Sequence, residues 1–155
     1  MRNLIIALFL CLSPLVNAQP IKVEGPGPNW EWHQTDKYHG SIVVIVSMSR
    51  YTEREAREVN WSLTRLGGVK LFTIVDFAGI PHFLYNYARH RIIRKIRRSE
   101  VICDFDQRLS SQLNTDPRHR VDIIVLNKDG EIRGHFKGAV EINSVIKLID
   151  ELAEK

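Results

Sequence analysis

The sequence predicts an α/β fold: a central mixed β-sheet with helices on both faces and a C-terminal β-hairpin. Three observations predict it. Residues 42–46 read IVVIV, apolar and β-branched at five successive positions, the pattern of a strand buried on both faces. Strand-like runs then alternate with amphipathic helical runs, which implies parallel strands joined by helical crossovers. Residues 121–138, VDIIVLNKDGEIRGHFKG, read as two strands around an Asn-Lys-Asp-Gly turn, which adds an antiparallel edge.

The elements follow in order. Residues 1–18, MRNLIIALFLCLSPLVNA, carry one early charge at Arg2, an apolar run from Leu4 to Leu12, a break at Pro14 and small residues up to Ala18. This is the layout of a secretory signal peptide. The apolar run is shorter than the about 20 residues a membrane span needs. Cys11 would leave with it, and Leu8-Phe9-Leu10 before it are too large for a lipidation site. Residues 19–40 are rich in Pro, Gly, Trp and His and hold no period. They read as an N-terminal arm, with Trp30 and Trp32 placed to pack on the edge of the domain formed by residues 41–155.

Within that domain, Thr52 and Glu55 fit a capping box, with Glu53 and Glu55 near the positive end of a helix. Ala56, Val59, Leu63 and Leu66 give that helix one buried stripe, and Gly67-Gly68 ends it. A strand follows at 69–75. Pro81 opens a second helix whose apolar line is Leu84, Ala88, Ile92 and Ile96. Residues 100–104 form a short strand, and 105–114 a short helix or turn before Asp116-Pro117. After the hairpin, Ile142, Val145, Ile146, Ile149 and Leu152 pattern a last amphipathic helix.

Chemistry-bearing residues are few. Lys and Arg number 22 against 18 Asp and Glu, a net charge of +4, so the chain is mildly basic, and an exported protein meets little nucleic acid. None of the six histidines has zinc-ligand spacing. Asp104-Phe105-Asp106 lacks the rest of a calcium loop. There is no Gly-rich phosphate loop, and Ser47 and Ser49 have no recognisable base. Neither metal nor cofactor is expected. Once the signal is removed Cys103 is the one thiol, so no internal disulfide forms. It reads as a core cysteine, with Asp104 beside it raising its pKa by like-charge repulsion. The second helix carries Arg89, Arg91, Arg94, Lys95, Arg97 and Arg98, with no acid between Asp76 and Glu100. On a helical wheel these lie away from the apolar line, as a solvated face or an anion-binding surface.

The order β-α-β-α-β-(α)-β-β-α, the joint at Arg50 with Glu53 or Glu55, the IVDFAGIP run at 74–81 and the VLNKDGEIRGHFKG hairpin together resemble the thioredoxin-like proteins. Among these the chain is most similar to the YtfJ-type periplasmic family, over roughly residues 40–155. The resemblance implies a thioredoxin-like domain whose Cys-x-x-Cys position is held by Arg50, Tyr51, Thr52 and Glu53. Asp122 stands where thioredoxins place a cis-proline. A helix head favours a reactive thiolate, and here no sulfur stands at it. The expected function is therefore that of an exported, non-catalytic binding or accessory protein of the cell envelope, periplasmic if the source is a Gram-negative bacterium. Its partner would be an unknown protein or an anionic envelope surface, not nucleic acid, with no transmembrane segment after cleavage. The alternatives are a one-cysteine thiol redox protein acting through Cys103, and adhesion of the basic helix to anionic membrane or an acidic partner.

Overall fold

The computed structural model describes residues 19–96 and 98–154. The expected signal peptide and Arg97 lie outside the described residues. The chain forms β1 (Glu24–Pro26), β2 (Trp32–Gln34), a 3₁₀ turn (Thr35–Tyr38), β3 (Ile42–Ser49), α1 (Glu53–Leu63) and β4 (Val69–Asp76). A second 3₁₀ turn (His82–Leu84) leads into α2 (Tyr85–Lys95), then β5 (Glu100–Asp104), α3 (Arg108–Gln112), β6 (Asp122–Leu126) and β7 (Ile132–Lys137). A third such turn (Ala139–Glu141) opens α4 (Ile142–Ala153).

Five strands make the central sheet in the order β5-β4-β3-β6-β7. β3 is parallel to β4 and β4 to β5, whereas β6 runs antiparallel to β3 and to β7. The connection from β5 through α3 brings β6 back antiparallel to β3, and this makes the sheet mixed. The four-residue turn at 127–130 then reverses the chain again into β7. Gly130 takes the left-handed conformation (φ +82°) that this reversal requires. β3 is central, and all eight of its residues are buried, three more than the apolar run alone suggests.

Two apolar layers cover the sheet. On one face Val44, Val46 and Met48 pack with Ala56, Val59 and Leu63 of α1 and with Val145, Ile149 and Leu152 of α4. Ala88 and Ile92 of α2 join them. Burying each Val or Leu stabilises the fold by about 1.5–3 kcal/mol, so this stripe, more than helix propensity, holds α1. On the other face Val43, Ile45 and Ile124 meet Leu109 of α3, Leu113 and Val23. Helices therefore lie on both faces, with the second face finished by the arm.

The arm is ordered structure rather than a trailing segment. β1 and β2 pair as a short antiparallel hairpin, Gly25 opposite His33, and Val23 is fully buried. Gly25 lies so close to β5 that a side chain there would meet Ile102 at 2.7 Å. Glu100 holds the hairpin from the sheet: its carboxylate lies 2.8 Å from His33 Nδ1 and accepts the Tyr38 hydroxyl. Trp30 stacks on Phe105, 5.8 Å between ring centres, whereas Trp32 is 54% exposed.

Two local expectations change. Pro81 caps the 3₁₀ turn at 82–84, and α2 begins only at Tyr85. The strand after the Asp116-Pro117 turn begins at Asp122, one residue later than its apolar run.

Candidate functional site

β3 delivers the chain to the head of α1 through a turn tied from within. The Ser49 N–H donates to Thr52 Oγ1 (3.0 Å), the Thr52 N–H to the Ser49 carbonyl (3.2 Å) and the Tyr51 N–H to Ser49 Oγ (3.1 Å). The Thr52 hydroxyl donates to the Pro117 carbonyl at 2.9 Å, pinning the helix head to the segment before β6. This overturns the expected capping box. The Thr52 side chain makes no cap bond to the helix, and Glu55 instead accepts the Ala139 N–H at 2.8 Å. Both side chains have found partners far along the chain, which no four-residue motif can anticipate.

Arg50, Tyr51, Thr52 and Glu53 do sit at the helix head, and none carries a sulfur. The Arg50 guanidinium lies over the Tyr51 ring, 4.6 Å from its centre, and donates to the Tyr51 hydroxyl. Glu53, the first residue of α1, pairs with Lys95 and, at 3.5 Å, with Arg91. The head of α1 is thereby joined to the tail of α2.

Between these two helices opens a cleft of about 450 Å³, lined by Met48, Val75, Ile80 and Leu84 as well as Arg50, Tyr51, Tyr87 and Arg91. Asp76 closes its inner end. This carboxylate is buried and accepts the Ala78 N–H at 2.7 Å, Gln107 Nε2 at 3.3 Å and Arg118 Nε at 3.3 Å. The sequence pattern gives Asp76 no role beyond following the strand at 69–75. The signal present was an acid ending a buried strand, where the sheet gives way to loops.

The basic helix is not one cationic face. Arg89 is buried, 6% exposed, against expectation. Its guanidinium donates to Asn86 Oδ1 at 2.8 Å and lies 4.4 Å from the centre of the Trp30 ring, while Nε and Nη1 are buried without a protein partner. The helical wheel could not show this, because the covering group comes from the arm and not from the helix. Arg91 and Lys95 fold back onto Glu53, and Arg94 and Arg98 are exposed.

Cys103 is buried in β5 at 2% exposure. Burial pushes its thiol up to about 12, against the opposing pull of the Arg89 charge. The direction agrees with expectation but the cause does not. Strand alternation turns Asp104 to the opposite face, where it accepts the Ser110 N–H and hydroxyl, both at 2.9 Å. Burial raises the Asp104 carboxyl, and these hydrogen bonds oppose the shift.

Asp122 opens β6 fully buried. Its Oδ1 lies 2.9 Å from His135 Nε2 and accepts Arg120 Nε at 3.3 Å, while Oδ2 accepts the Asp116 N–H at 2.9 Å. The carboxylate ties the segment 116–120 to the hairpin. Among the described residues no group of three or more His, Cys, Asp or Glu side chains gathers as metal ligands, and no helix is long and apolar enough to cross a membrane.

No protein-family model and no curated protein sequence matches the chain. Solved structures do. A DsbF homologue from Corynebacterium diphtheriae shares 21% identity over 86% of each chain, with a TM-score of 0.68. The exposed lipoprotein thioredoxin Etrx1 of Streptococcus pneumoniae strain TIGR4 shares 14%, over 85% of this chain and 100% of its own, with a TM-score of 0.65. A SCO1/SenC family lipoprotein from Bacillus anthracis shares 8%, over 89% of this chain and 96% of its own, at 0.59. At these identities the likeness lies in the path of the backbone. The chain has the thioredoxin-like α/β fold.

Proposed function

We propose that this chain is an exported binding or accessory protein of the cell envelope, of the YtfJ type, that conducts no thiol chemistry. One observation carries the reading. The head of α1, where a redox-active thioredoxin-like protein presents its nucleophilic sulfur, is occupied by Arg50, Tyr51, Thr52 and Glu53. The positive end of a helix activates a sulfur only if one is there. Cys103 is no substitute. It is buried in a strand, and a thiol pushed up to about 12 holds only on the order of 10⁻⁵ of its population as thiolate at neutral pH. The structural neighbours include proteins described as a disulfide oxidoreductase and as an exposed lipoprotein thioredoxin. Their location outside the cytoplasm supports export, together with the signal-like residues 1–18. Their chemistry finds no thiol pair among the described residues.

The test is insulin reduction and peroxide consumption by the purified protein, supplied with dithiothreitol as electron donor. Rates no higher than those of dithiothreitol alone are expected. Catalytic turnover above that background, abolished by Cys103→Ala, would overturn the proposal in favour of a one-cysteine thiol protein.

A further inference from the structure

The geometry points to the occupant of the cleft between α1 and α2: an acidic peptide segment anchored by one aromatic or large aliphatic side chain. The inference rests on the binding-protein reading and gives its partner a chemistry.

The floor of the cleft is apolar, formed by Met48, Val75, Ile80, Ala88 and Ile92. Its rim is aromatic, with Tyr51 and Tyr87 each 65% exposed. Leu84 on the lip is 40% exposed, and Phe83 beside it is 82% exposed. Apolar groups gathered this closely on a surface mark a contact site, and a volume of about 450 Å³ lies in the range that accepts a projecting group.

The charges at the rim select the occupant. Arg50 has no carboxylate within 4.0 Å among the described residues and rests on the Tyr51 ring. Arg91 shares the single acid Glu53 with Lys95. Arg94 lies outside the cleft lining, beside Tyr87 and Arg91, and donates to the His90 carbonyl at 3.4 Å. The other acid of the cleft, Asp76, is sealed inside with its side chain 1% exposed and paired with Arg118. The uncompensated charge at the mouth is positive, so an acidic chain is drawn in and a basic one repelled. The cleft is concave, which suits an inserted side chain. Adhesion to a bilayer calls for an amphipathic face lying in the plane of the surface.

Three acetylated, amidated peptides test this by NMR titration of the ¹⁵N-labelled protein: DEFED, its basic counterpart KRFRK, and the anchorless DEAED. DEFED is expected to shift the resonances of Tyr51, Leu84 and Tyr87 and to bind about tenfold more tightly than either control. Tyr87→Ala and Arg50→Glu, both at exposed positions, should each weaken DEFED about tenfold with unchanged circular dichroism. Equal affinity for the three peptides, shifts confined to another surface, or no shift at millimolar DEFED would each overturn the inference. So would binding to phosphatidylglycerol vesicles without binding to DEFED, which would assign this face to the membrane. Insulin and peroxide assays on the same sample keep the two readings apart. Thiol turnover defeats the accessory role, whereas silence in both assays and titration defeats only the peptide site.

Discussion

The Arg89 guanidinium lies 4.4 Å from the centre of the Trp30 ring, so a residue of the arm roofs a buried cation of α2. Trp30 takes a left-handed backbone conformation to do this (φ +68°), one that a bulky residue rarely adopts. Beneath it, two guanidinium nitrogens are buried without partners. A buried charge so incompletely paired is destabilising. Arg89→Met keeps most of the volume and removes the charge. It is expected to stabilise the fold by about 1 kcal/mol, read as a raised urea midpoint at constant m-value. A loss of stability would mean that the stacked cation contributes more than its burial removes.

Trp30 lies against Arg89, whose charge acts on Cys103. Trp30→Gly relieves the backbone and removes the cover. Native-state labelling of Cys103 with a maleimide should be slow in the parent protein and faster in Trp30→Gly. Equal rates would place the controlling opening elsewhere in the fold.

The buried thiol makes stability depend on alkaline pH. Its folded pKa is raised from 9.0 to about 12, so above pH 9 the unfolded chain loses this proton while the folded chain keeps it. Stability conferred by the neutral thiol is complete below pH 9 and declines as pH rises toward 12, by at most about 1.4 kcal/mol per unit. Cys103→Ala should show a shallower decline in urea midpoints between pH 8.5 and 10.5. Parallel curves would contradict the assigned burial.

Glu100 holds the arm through His33 and Tyr38. The same hydrogen bond to Glu100 is the leading cause that raises the Tyr38 phenol above its ordinary value. Glu100→Ala is expected to destabilise the protein by about 1–3 kcal/mol and to make residues 19–40 the first site of limited proteolysis. Cleavage first in another segment would show that the arm's other contacts, Val23, Gly25 and Trp30 among them, hold it without Glu100.

Asp122 is buried among three donor groups: His135, Arg120 and the Asp116 amide. Asp122→Ala leaves them without their acceptor and should lower stability by about 3 kcal/mol. Thermal unfolding of the variant provides the measurement, and a change below about 0.5 kcal/mol would mean that water replaces the carboxylate without loss.

Much of the fold is legible in the pattern of the chain. IVVIV marks the central strand because only a strand covered on both faces is apolar at every position. Asn127-Lys128-Asp129-Gly130 marks the reversal because Gly130 accepts a positive φ that other residues resist. The site is legible in a narrower sense. Arg50 to Glu53 lie at the joint between strand and helix that the pattern marks, but their partners are not legible there. Thr52 and Glu55 fit a local cap and in fact bond to Pro117 and Ala139. Arg89 reads as one of six equivalent surface cations until the arm covers it. Asp76 reads as punctuation after a strand until Arg118 and Gln107 close around it.

Sequence by itself determined the order of strands and helices, the turn that closes the β6–β7 hairpin, and the absence of sulfur from residues 50–53. These are properties of neighbours along the chain, set by periodicity, turn chemistry and residue type. Only the tertiary structure decided that the arm is a hairpin on β5, that Arg89 is inside, and that Tyr51 and Tyr87 line one cleft. Those depend on segments tens of residues apart meeting in space, where burial and long-range hydrogen bonds outweigh what each segment prefers alone.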